Sequence, residues 1–237
     1  MKLKYTNNRK TKQKMQKMTV TKSQKTIATR LSRSIIQKRL THKTNLQNIN
    51  LQYSRKQSQP AINLKPIYEL TKTQLYELSK ITADTKIMQH IGTGKTWSIA
   101  DILKFAKDEK KEIKLLHNKR KYYTCCLIYN NHVIGFISGR KNNSLLPVNK
   151  SPYDLLLRLF IAKSYSGKGY GKILIKMFID WYTSLIKKHY TIYSDIEDTN
   201  ISSIKIHQHN HFIFLNKIKY PNGKYYLRYI KKITIAN

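Results

Sequence analysis

The stretch Ser166-Gly167-Lys168-Gly169-Tyr170-Gly171-Lys172 has the residue types and spacing of an anion site. An apolar segment precedes it and a helical pattern follows, so its backbone N–H groups can converge where a helix dipole also favours negative charge. Glycine lets a ligand approach the backbone closely. A diphosphate suits such a loop, with Lys168 and Lys172 adding charge at its rim. Glycines at this spacing also occur in dinucleotide-binding loops and plain tight turns.

Other motifs carry less. Gly94-Lys95-Thr96 ends like a phosphate loop, but Gln89 stands where the first glycine of G-x-x-x-x-G-K-[ST] belongs. His207, His209 and His211 alternate, and His207 and His211 share a helix face, yet no cysteine or carboxylate completes a ligand set, so no metal is expected. Cys125 and Cys126 lie in an apolar run and point to opposite sides of a strand. They cannot bridge each other, and reduced, intracellular surroundings fit them. Tyrosines alternating on strands fit sheet faces better than base stacking.

The elements that must position the loop are legible from Ile62 onward. INLKPIYEL reads as a first strand, Lys72 to Ala83 as a helix with Leu75, Leu78 and Ile81 on one face, and Ser98 as the N-cap of a second helix, with Asp101 three positions on. YYTCCLIY and HVIGFISGR flank Asn130-Asn131, a pair suited to a tight hairpin. YDLLLRLFIA has the near-continuous apolar character of a central strand buried on both faces, and it ends at the glycine loop. Leu174, Met177, Phe178, Trp181 and Leu185 then form a helical stripe. TIYSDI, a helix near Asn200 to Asn210, FIFLNKI and KYYLRYI complete the series. A dinucleotide fold would place its glycine loop after the first strand of a parallel unit; here it follows the fourth.

Residues 1–60 differ in kind. They hold 16 Lys+Arg and no Asp or Glu, with few large apolar residues, and cannot offset their ordering entropy by burial. We read 1–60 as a disordered basic tail and 61–233 as the folded domain. The whole chain carries 46 Lys+Arg against 12 Asp+Glu, a net charge of +34, which draws it toward nucleic acid or an anionic surface. A Lys-, Asn- and Ile-rich composition also follows from an A/T-rich coding sequence. No apolar run approaches the ~18 residues of a transmembrane helix. A cytoplasmic setting fits, and the basic, acid-poor start is also compatible with organelle import.

LFIAKSYSGKGYGKILI resembles the coenzyme A motif of the GNAT superfamily of N-acetyltransferases, commonly written Q/R-x-x-G-x-G/A. Gly169 and Gly171 match it, and Ser166 takes the leading Gln/Arg position. Downstream, Asn200, Ser203, Ile206 and Phe212 fall in register with N-x-x-A/S-x-x-L-Y-x-x-x-G-F, with His207 in place of Tyr and His211 in place of Gly. IMQHIGTGKTWS is similar to the I-G-x-G-x-x-W-S stretch of some members.

The resemblance covers most of Ile62 to Ile230. It implies an α/β (α+β) fold: a mixed, mostly antiparallel sheet of six to seven strands flanked by about four helices. It also implies acetyl-CoA as acyl donor and direct attack by a primary amine of a protein or small-molecule acceptor. Pantetheine would meet the backbone near Phe160, Ile161 and Ala162; the diphosphate would rest on Ser166, Gly167, Lys168, Gly169, Tyr170, Gly171 and Lys172; Asn200 would contact the cofactor from the other side. His207 takes the position of the general acid. For the base, Asp154, Asp195, His90 and bound water compete. The alternative is a GNAT-fold binding module whose basic tail contacts nucleic acid or an anionic surface. Oligomeric state is not legible.

Overall fold

The computed structural model describes residues 62–141, 146, 151–220 and 223–235, together with residue 47. The expected tail 1–60 therefore lies, residue 47 apart, outside the described residues.

Seven strands form one sheet: β1 (Ile62–Pro66), β2 (Tyr122–Tyr129), β3 (His132–Arg140), β4 (Leu155–Ile161), β5 (Tyr190–Glu197), β6 (Ile213–Lys219) and β7 (Tyr225–Ile233), in the order β1-β2-β3-β4-β5-β7-β6. Every pairing is antiparallel except β4 with β5. Among the described residues from 62 onward, five α-helices accompany it: α1 (Lys72–Thr82), α2 (Thr85–Met88), α3 (Ile99–Glu112), α4 (Tyr170–Ile186) and α5 (Ile201–His209). The short α2 falls in a stretch that sequence periodicity leaves blank, since four residues cannot display a helical period.

Local chemistry sets the boundaries. Thr71 and Gln74 cap α1 reciprocally, as Ser98 and Asp101 cap α3. Asn130 and Asn131 both take positive φ, 49° and 67°, the backbone a two-residue hairpin requires between β2 and β3.

The sheet is covered on both faces. Trp181, Phe178, Met177 and Leu174 of α4 pack against one, where Cys125 also points; Leu75 and Leu78 of α1 and Ile102 of α3 cover the other, with Cys126, Phe136 and Phe160. The two thiols do face opposite layers, and burial pushes both pKa values up, so neither is a nucleophile at neutral pH.

Two features of the sheet matter for the site. β5 pairs with β4 only at Leu155↔Ile192 and Leu156↔Tyr193, and beyond those residues the strands part. The expectation that β4 is buried on both faces along its length therefore holds only at its start; Arg158, Leu159 and Ile161 are half-exposed because the neighbouring strand has diverged. The outermost strand, β6, has a bulge at Leu215 between Phe214 and Asn216, and its side chains are almost all exposed.

Candidate active site at the gap between two strands

The gap opens onto the N-terminus of α4. Gly167 and Gly169 take φ of 76° and 86°, and Gly169 is the left-handed N-cap of the helix. That backbone turns five consecutive N–H groups, from Gly167 to Gly171, away from any acceptor among the described residues. A Cβ built on Gly167 or Gly169 meets no atom within 4 Å, so the glycines face open space. This is the geometry of an anion cradle at a helix dipole.

Gly171 serves a different purpose. A Cβ there would lie 2.7 Å from Ile206 Cδ1, so its bare backbone lets α5 cross close over the first turn of α4. The close crossing brings Asn200, the N-cap of α5, to the cavity. Its Oδ1 accepts from Ser203 N–H at 3.1 Å and Ser202 Oγ at 3.0 Å, leaving its amide N–H₂ as the free polar group. His211, in the place of a motif glycine, adopts φ 61°, and Phe212 behind it is buried.

A cavity of about 480 Å³ runs from this loop along β4, walled by Leu159, Phe160 and Ile161 on one side and Ser203 and Ile206 on the other. The expected pantetheine contacts need correction here. Ala162 N–H donates to Ile134 O at 2.8 Å across the β3 side, and antiparallel pairing alternates, so Phe160 also turns its N–H to β3. The polar backbone facing the gap belongs to Leu159 and Ile161. Leu159 is legible in sequence only once that pairing is known.

Asp154 does not face the gap. It is buried, with Oδ1 accepting from Thr191 N–H and Oδ2 from Ser151 N–H, tying the start of β4 to β5. Asp195 is likewise committed: Arg228 on β7 donates to both its oxygens at 2.6 and 2.7 Å, and Tyr220 Oη donates at 2.6 Å. Neither carboxylate lines the cavity.

His207 is 1% exposed, edge-on to the Phe212 ring. Its Nδ1 lies 2.8 Å from Ser203 O, and a carbonyl only accepts, so Nδ1 carries the hydrogen. Burial holds its pKa down to about 4, so Nε2 is bare at neutral pH and has no partner among the described residues. The one ring hydrogen of His207 is thus held by Ser203 O, with none on Nε2 at neutral pH.

His90, by contrast, stands at the mouth of the cavity. Its Nδ1 is 2.6 Å from Glu197 Oε2, and its Nε2 accepts from the Gln89 side-chain amide at 3.1 Å. Burial raises the Glu197 pKa, but hydrogen bonds from Lys224 and His90 outweigh it and leave the carboxyl below its usual value. A carboxylate fixing Nδ1–H is the arrangement of a general base, and the Nε2 lone pair, which accepts from the exposed Gln89 amide, is open to a substrate amine that displaces that amide. Sequence reasoning weighed His90 but missed Glu197, whose signal was only an acid at a strand end. Among the described residues no three His, Cys, Asp or Glu side chains converge as a metal site, and no helix is long and apolar enough to cross a membrane.

A family model described as the acetyltransferase (GNAT) family matches residues 88–212, more than half of the chain. The chain belongs to that family of acyltransferases. The matched span reaches from α2 through the glycine loop to Phe212, which is the part that builds the gap. Among curated proteins none matches. Among solved structures, RimJ of Mycobacterium smegmatis in complex with CoA-disulfide is similar at a TM-score of 0.58 and 13% identity, over 73% of this chain and 82% of that one. YncA of Salmonella typhimurium, a putative acetyltransferase with acetyl-CoA, gives 0.55 and 16% over 73% and 94%. A ribosomal-protein-alanine N-acetyltransferase of Brucella melitensis gives 0.56 and 14% over 72% and 99%. At such identities the likeness is one of fold.

Proposed function

We propose that residues 61–233 form an N-acetyltransferase domain that moves the acetyl group of acetyl-CoA to a primary amine by direct attack. One observation carries this reading: five unpaired backbone N–H groups at the N-terminus of α4 open into a cavity that follows the unpaired edge of β4. A diphosphate fits the first and an extended pantetheine the second, with Leu159 and Ile161 supplying its backbone partners and the Asn200 amide a further donor. The solved relatives that hold CoA or acetyl-CoA support the same ligand.

In this reading His90, oriented by Glu197, takes the proton from the attacking amine. The thioester C–S bond breaks as the new C–N bond forms, and the thiolate collects its proton from water or from protonated His90. His207 supports the fold and supplies no proton.

The family's fold without turnover, acting as a binding module through its basic tail, is favoured by the same His207 observation. Titration of the full chain with acetyl-CoA, followed by mass-spectrometric detection of acetylated amines from a peptide and polyamine panel, separates the two. Saturable binding with product formation supports transfer; saturable binding without any product favours the module; no binding overturns both.

A further inference from the structure

A second cavity, of about 320 Å³, lies on the α3 side of the sheet and shares Ile91 with the first. Its walls are aromatic: Trp97, Phe105, Tyr122 and Phe136, the first two with ring centroids 6.0 Å apart. Two guanidiniums enter it, Arg140 from the end of β3 and Arg158 from the middle of β4. Cross-strand register puts Ser138, another lining residue, opposite Arg158.

Arg158 is the unusual member. It is the one charge in the strand LLLRLFI, at the place where β5 has left, and it has neither hydrogen bond nor ion pair among the described residues. Burial, and the Arg140 charge nearby, depress its pKa against a weaker opposing pull from Tyr220 and Asp195. Of the carboxylates nearby, Asp195 is held by Arg228 and Tyr220, and Asp101, which also lines the cavity, accepts from Ser98 N–H and Oγ at 2.8 and 2.7 Å through Oδ2. Gly92 lets the loop after α2 pass directly over the guanidinium, for a Cβ there would sit 3.2 Å from Arg158 Nη1. A half-buried cation against aromatic walls, whose attractive carboxylate, Asp195, is already ion-paired with Arg228, is an expensive arrangement unless a further anion joins it.

We propose that this cavity binds the acceptor, and that the acceptor is a small amine with an apolar or aromatic body and an anionic group that pairs with Arg158. This rests on the acetyl-transfer reading for its meaning but is tested by binding alone. The volume suits a molecule of amino-acid size and is at the small end of ligand sites, ~300 to 1,000 Å³. Arg158 lies next to Leu159, so an amine anchored there sits beside the stretch of β4 that faces the thioester gap.

The test is calorimetric binding of three probes to the full chain, with and without CoA: phenethylamine, L-phenylalanine and the phosphate ester of tyramine. We expect one or both anionic probes to bind roughly 10- to 100-fold more tightly than phenethylamine. Whichever is tighter identifies carboxylate or phosphate. R158Q should erase the difference and R158K retain part of it, with acetyl-CoA affinity reporting that both variants are folded. Equal binding of all three, tighter binding of phenethylamine, or an undiminished preference in R158Q overturns the proposal. Absence of acetyl-CoA binding would instead overturn the acetyl-transfer reading, because the amine measurements do not depend on it.

Discussion

Gly171 of α4 and Ile206 of α5 are in direct contact, with room for a hydrogen but not a methyl between them. Gly169, two residues earlier, has open space around it and a φ of 86°. Substitutions at the two glycines should therefore fail differently. Gly171→Val overpacks the helix crossing and costs about 1 to 3 kcal/mol, seen as a lower denaturation midpoint, and displaces Asn200. Gly169→Val costs about 1 to 2 kcal/mol for its backbone, but places its methyls in the diphosphate cradle, so acetyl-CoA affinity falls more than stability does. Parallel denaturation and acetyl-CoA titrations distinguish them.

His90→Gln removes the proposed base while leaving the glycine loop intact. Turnover should fall by roughly 10²- to 10⁴-fold with acetyl-CoA affinity retained. Glu197→Gln leaves the imidazole but loses the charge that orients it, and should shift the pH profile of kcat/KM as well as lower it. Unchanged rates in both variants would send the base assignment elsewhere.

His207→Gln should lower turnover by less than the ~100-fold expected on losing a general acid. Its pKa of about 4 in the fold against 6.5 means that the unfolded chain binds more protons between those values. The stability it contributes is present above pH 6.5 and lost as pH falls toward 4. His207→Gln should therefore be less sensitive than the parent to acidification in that window, as read by chemical denaturation.

Glu109 of α3 behaves in the opposite sense. It is buried, one oxygen accepts from Thr124 N–H, the other has no partner among the described residues, and burial pushes its pKa up to about 7. Here the folded chain binds more protons between the ordinary 4.5 and 7, so stability falls as pH rises through that range, by roughly 3 kcal/mol. Glu109→Gln should flatten this loss. Denaturation midpoints at pH 5 and pH 8, parent against variant, check it.

The elements around the site were legible because each carries a local signature: the Ser98 and Asp101 cap, the Asn130-Asn131 turn, the apolar stripe of α4. The glycine loop was legible for the same reason. What escaped depends on tertiary partners. Whether Phe160 or Leu159 faces the gap is fixed by which β3 carbonyl receives Ala162 N–H, and the sequence of β4 is apolar at all three positions. Asp195 looked available until Arg228, 33 residues away, came to lie beside it. His207 lies in a polar stretch, HQHNH, and only the turn of α5 shows that it points inward against Phe212. His90 and Glu197, 107 residues apart, become a pair only when the sheet is assembled.

The bulge in β6 has a bearing on how the protein behaves in concentrated solution. Ile213, Phe214 and Leu215 are exposed on the outermost strand, an open ladder onto which another chain could add by backbone pairing. The extra residue at Leu215 breaks that ladder where it is greasiest, and Lys219 beyond it puts a like charge on any copy that approaches, while Lys217 is paired with Asp198. Solubility at this edge is thus bought with an irregularity and an ammonium group, and it is most secure at low ionic strength, where like-charge repulsion reaches furthest.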